Sequence, residues 1–107
     1  MTNTVLDAAI DVARAERETL RWIILSALWH GRPYGVNEHV LLMTARDIPL
    51  RVTADQVRAE LASLEKRGLV KVGRDGPLWW GELTADGEAV VDYRLDCPVG
   101  IARPPKW

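Results

Sequence analysis

The stretch TADQVRAELASLEKRGLVKVGRDGPLWWGELTADG, residues 53–87, decides the architecture. Thr53 followed three residues later by Gln56 forms a capping box, in which each side chain accepts a backbone N–H that a helix start leaves unpaired. Val57, Leu61 and Leu64 recur at helical spacing and give the helix one apolar face. Lys66 and Arg67 place positive charge at the negative end of the helix dipole, and Gly68 supplies the left-handed residue that stops it. Leu69 to Val72 reads as a strand, Arg74-Asp75-Gly76-Pro77 as a tight turn, and Leu78 to Leu83 as the returning strand. Thr84 caps a further helix, to which Ala89, Val90 and Tyr93 give an apolar side and which Cys97-Pro98 ends.

Upstream, residues 4–29 contain neither glycine nor proline and read as helix throughout. Leu20, Ile23, Ile24, Ala27 and Leu28 form a strong apolar stripe there. Val5, Leu6, Ala9, Ile10 and Ala13 form a weaker one, the pattern of a helical extension that packs on a neighbour. Gly31 to Gly35 is a loop, Asn37 an N-cap, and the next helix is expected from about Glu38 to Arg46, burying Val40, Leu41 and Met43 or Ala45. It must stop before Pro49, because the residue preceding a proline avoids the helical region. Ile48 to Val52 is expected to form a short first strand, and Pro98 to Trp107 a proline-spaced arm.

A chain of 107 residues builds one core. With 48% hydrophobic and 27% charged residues, it has the composition of a globular protein and not of a disordered one. No apolar run is long enough to span a membrane, so the expected location is the cytoplasm, which a single unpaired cysteine, Cys97, also fits. A net charge of −1 is low for a nucleic-acid binder. Eleven of the fourteen cationic residues are arginine, which suits bidentate contacts with phosphate, guanine or carboxylate, although GC-rich coding also enriches it.

The run Leu61-Ala62-Ser63-Leu64-Glu65-Lys66-Arg67-Gly68-Leu69-Val70, followed at hairpin spacing by Leu83-Thr84-Ala85-Asp86-Gly87, resembles MarR-type and PadR-type winged-helix transcriptional regulators. The likeness runs from about Leu20 to Leu95. It implies a mainly α fold with a small β-hairpin wing (α+β), a winged helix-turn-helix. The chain would then divide into a helical extension over residues 1–17, the winged-helix domain over 18–96 and an arm over 97–107. The tail from Asp96 to Trp107 resembles the ends of small proteins encoded in Mu-like phages and prophages, which implies a phage-related regulatory or accessory role.

Carried over residue by residue, the resemblance assigns contact with double-stranded DNA to the exposed positions of the third helix and the wing. Thr53, Asp55, Gln56, Arg58, Ala59 and Ser63 occupy the readout positions. Gln56 would read adenine and Arg58 guanine, at about 1–3 kcal/mol of discrimination per good contact. Lys66, Arg67, Lys71 and Arg74 would lie near phosphates. Yet Ala59 stands where relatives carry a polar contact residue, and Thr53 to Arg67 holds three cations against three acids, which leaves no net counterion-release term.

Two functions follow, both non-enzymatic. One is a DNA-binding transcriptional regulator, dimeric through its N-terminal helix. The other is a protein–protein interaction module with the same fold, binding through Trp79, Trp80 and Trp107. Trp79 and Trp80 are adjacent on a strand, so one ring is expected in the core and the other partly outside. No nucleophile or acid–base constellation is legible in the chain, and His30, His39 and Cys97 match no zinc spacing, so neither a cofactor nor a metal is expected.

Overall fold

A computed structural model describes residues 4–106, with side chains from residue 8 onward, and Trp107 lies outside it. Among these residues the protein is a mixed α+β domain of four helices and a three-stranded antiparallel sheet: α1 (Thr4–His30), β1 (Val36–Asn37), α2 (Glu38–Asp47), α3 (Ala54–Lys66), β2 (Val70–Gly73), β3 (Trp80–Leu83) and α4 (Ala85–Val91). No helix among them is long and apolar enough to cross a membrane.

The local signals hold. Thr53 and Gln56 make both bonds of the capping box, and Asn37 and Thr84 cap α2 and α4 through their side-chain oxygens. Gly68 takes φ +77, with Leu69 N–H bonded to Leu64 O at 3.0 Å and Gly68 N–H to Glu65 O at 3.0 Å, the paired bonds of a Schellman stop. Leu20, Ile24, Leu25 and Leu28 of α1 pack with Leu41 and Ala45 of α2, Val57, Leu61 and Leu64 of α3, and Leu69, Val70, Leu83 and Val90 in one buried cluster.

Three expectations fail. The strand expected at Ile48 to Val52 is a loop, where Ile48 and Leu50 both donate to Ala45 O. The third strand is β1 instead, ahead of α2. It pairs with β3 in the sheet order β1-β3-β2, with Val36 opposite Gly81 and Asn37 opposite Trp80. Helix α2 buries Leu41 and Ala45 as expected, but Glu38 and Leu42 complete its inward face at i, i+3, i+4 and i+7, leaving Val40 and Met43 nearly half exposed. Its buried face is set by Glu38, which has partners inside the domain.

Helix α4 stops at Val91, well short of Cys97. Tyr93 takes the left-handed conformation, φ 59, that glycine usually fills at a helix end, and Arg94 N–H closes back on Ala89 O at 2.8 Å. Tertiary contacts hold Tyr93 there. Its hydroxyl donates to Pro104 O at 2.6 Å, its ring meets Trp22 edge-on at 6.5 Å, and Arg103 lies 4.4 Å over it.

The same contacts fasten the C-terminal arm to the domain. Ile101 is buried, Ala102 N–H donates to Glu18 O at 3.1 Å, and Arg103 donates to Val90 O and Leu95 O, each at 2.9 Å. Cys97 packs beneath the arm as a free thiol, pushed up from its ordinary pKa chiefly by burial.

Candidate interaction face

The outer side of α3, the hairpin and the start of α2 meet around Trp79. Arg58, on α3, donates two hydrogen bonds of 2.6 Å to the Glu38 carboxylate and a third of 3.2 Å to Pro77 O. Glu38 is 5% exposed and accepts in addition from Trp79 N–H at 2.8 Å, while its own N–H donates to Trp79 O at 2.8 Å. One carboxylate therefore ties α2 to α3 and to the strand entering the sheet. The Arg58 hydrogen bond holds the Glu38 carboxyl below the usual glutamate range against the opposing effect of burial, and the Trp79 N–H adds to the lowering.

Arg74 completes the enclosure. It makes a fork to Glu65 at 3.1 and 2.8 Å and lies 4.4 Å from the Trp79 ring centre, while Arg58 lies 4.8 Å from it. Two guanidiniums on one indole are held by attraction to its π face, and each is neutralised by its own glutamate. The Arg74 hydrogen bond likewise lowers the Glu65 pKa. Both tryptophans are half-buried, so the expected split holds only in part: Trp80 is partly outside as expected, while Trp79 packs on the core without being fully buried. Trp79 packs on the core between the arginines, and Trp80 lies over Gly73, its Nε1 donating to Asp75 at 3.3 Å.

The residues assigned to DNA thus have other work. Gln56 Oε1 accepts from Thr53 N–H at 2.8 Å, and Thr53 Oγ1 accepts from Gln56 N–H at 3.2 Å. Arg58 and Arg74 are paired with acids, and Arg67 donates to Val99 O at 2.7 Å, holding the arm. Ser63 is half-buried on α3. Lys66 and Lys71 are the remaining candidates, both exposed and without a hydrogen bond or ion pair among the described residues. Trp107 lies outside the described residues.

Two charged residues that organise this surface were missed. Glu60 is buried on the face that carries Val57, Leu61 and Leu64, and pairs with Arg21, whose Nη1 also donates to Gly100 O at 2.8 Å. An acid within an apolar stripe requires a cation, so Glu60 carried a readable signal. Glu38 carried none, since a first-turn glutamate is ordinarily a solvated complement to the helix dipole.

One exposed apolar side chain borders the enclosure: Leu78 at the hairpin, nearly half exposed, lines a shallow cleft beside Arg58 with His39, Leu42, Ala54 and Asp55. Val40 and Met43, exposed to the same degree, lie on the side of α2 turned away from Glu38. The described residues contain no group of three or more His, Cys, Asp and Glu able to hold a metal ion. No protein-family model matches the sequence, and no curated protein matches it.

Proposed function

We propose that the chain is a winged helix-turn-helix domain acting as a non-enzymatic protein-interaction module, with α2, the start of α3 and the hairpin as its binding face. The element order α1-β1-α2-α3-β2-β3 and the sheet order β1-β3-β2 support the winged-helix reading, with β2 and β3 as the wing.

The observation that carries the functional reading is the fork between Arg58 and Glu38. A guanine contact through Arg58 would strand a carboxylate that is 5% exposed. Breaking the fork leaves a desolvated carboxylate without its cation, a cost discounted because the Arg58 side chain is 38% exposed. A contact between this arginine and a base is opposed by that cost, and Lys66 and Lys71 alone give a shallow phosphate term. A shallow cleft of Leu42, Ala54 and Leu78 with Asp55 beside it suits a protein surface of apolar and basic character.

The reading is tested by titrating isotope-labelled protein with random duplex DNA at low salt. Amide resonances of Thr53 to Ser63 should stay in place. Saturable shifts confined to α3 and the hairpin would favour the DNA-binding regulator instead.

A further inference from the structure

Helix α4 ends at Val91, although residues 92–97 hold neither glycine nor proline and the first proline beyond it is Pro98. Tyr93, at φ 59, turns the chain out of the helix. That conformation is uncommon for any residue but glycine and strained for a bulky one, so contacts outside the helix must impose it. The C-terminal arm imposes it, together with Trp22. Tyr93 Oη donates to Pro104 O at 2.6 Å, and Arg103 lies over the ring at 4.4 Å.

Arg103 also decides between two courses of the chain. Its Nη1 donates to Val90 O and to Leu95 O, each at 2.9 Å. In a helix that ran on, those two carbonyls would lie about 7.5 Å apart along the axis, farther than one nitrogen can bridge. Val90 O would instead accept from Arg94 N–H. Here Arg94 N–H turns back to Ala89 O at 2.8 Å, and Leu95 N–H joins it there at 3.1 Å. A docked arm and a continued α4 therefore exclude each other.

We propose that the arm and the end of α4 form a two-state latch. With the arm docked, α4 stops at Val91, Tyr93 is left-handed, and Arg67 and Arg21 hold Val99 O and Gly100 O. With the arm lifted, Tyr93 returns to the right-handed region and α4 runs on through Leu95, its limit set by Pro98. Helical hydrogen bonds gained there, and the strain released at Tyr93, offset part of what the arm loses. Leu95, 44% exposed here, then follows Val91 at helical spacing. Lifting uncovers Cys97 and the seat of Ile101, so their exposure is coupled to the length of α4. The latch goes beyond the reading above and needs none of the contacts around Trp79.

Backbone NMR of the full chain tests it with two independent readouts. Hydrogen exchange at the Ala102 amide, which is bonded to Glu18 O, reports the arm, and the Cα shifts of Tyr93 to Leu95 report α4. Arg103→Met should speed Ala102 exchange at least about tenfold over wild type. Tyr93→Phe, which removes only the bond to Pro104, should act in the same direction and less. Arg103→Met with Ile101→Ala should lift the arm outright, and the Cα shifts of Tyr93 to Leu95 should then be helical. Should that variant lose its fold, exchange-saturation NMR of Arg103→Met reads the same shifts in its minor state. A lifted arm with coil-like shifts at Tyr93 to Leu95, or Ala102 exchange indifferent to Arg103→Met, would each overturn the proposal. None of these outcomes bears on whether DNA is bound.

Discussion

Arg58 on α3 and Glu38 at the first turn of α2 are joined by two hydrogen bonds of 2.6 Å, and the same carboxylate receives the Trp79 N–H at 2.8 Å. A side chain on the outer side of α3 is thereby turned inward to fasten three elements.

Removing the cation should be costlier than removing the pair. Arg58→Met leaves the Glu38 carboxylate buried without its cation and should lower the melting temperature by at least about 5 °C. Glu38→Gln with Arg58→Met keeps an acceptor for Trp79 N–H and removes the stranded charge. The double variant should recover more than half of the loss in thermal melts followed by circular dichroism. If Arg58→Met alone melts like wild type, Arg58 is not structural.

Acid should loosen the same joint. Glu38 and Glu65 both have lowered pKa values, so their contribution is fully present above the unfolded glutamate value of about 4.3 and is lost as pH falls through the lower folded values. Melting temperature against pH should therefore fall below about pH 4.3. Glu38→Gln should flatten that fall, and Glu65→Gln, on an exposed pair, should change it little. A wild-type curve flat through this range contradicts the assignment.

Gly87 marks a close approach that tolerates no side chain. A Cβ there would stand 2.0 Å from Leu69 O, a backbone atom with little freedom to retreat. Gly87→Ala should cost about 1–3 kcal/mol through forced displacement of α4. Gly76→Ala, where a Cβ meets nothing within 4 Å, is the control and should melt near wild type. Equal melts for the two would contradict the packing of α4 on Leu69.

The arm should behave as part of the core. Ile101 is buried, and Ile101→Ala should cost about 2–3 kcal/mol, below the middle of the range for such truncations because the arm is held at one surface of the domain. Cys97 reports on the same contact. Its thiol has a raised pKa and packs on the core, so alkylation near neutral pH should be slow in the wild type and faster in Ile101→Ala. Equal rates would mean that the arm leaves Cys97 equally accessible in both.

What was legible in the sequence was local. Thr53 with Gln56, Asn37, Thr84 and Gly68 each act within about four residues of themselves, so their side-chain chemistry fixes where helices begin and end. The long-range partners were not legible. Arg58 reaches Glu38 from 20 residues away, and Glu38 reaches Trp79 from 41. Nothing in the spacing of an exposed-looking arginine separates a phosphate ligand from the mate of a buried acid. Strand β1 escaped because two residues have no period, whereas Ile48 to Val52 offered β-branched residues that the chain uses in a loop. The stop at Tyr93 escaped because its left-handed conformation is held by Pro104, Trp22 and Arg103 and not by the residue's own preference.

If the arginines of α3 and the hairpin serve to hold the domain together, nucleic acid finds no basic surface on them. Fluorescence anisotropy of a labelled random duplex, titrated with the wild-type chain across a salt series, tests it most directly. No saturable binding is expected down to the lowest salt, with Lys66→Ala and Lys71→Ala indistinguishable from wild type. A binding constant that rises linearly in log form as salt is lowered, with a slope of several released counterions and a loss on Arg58→Ala in protein that remains folded, would contradict it.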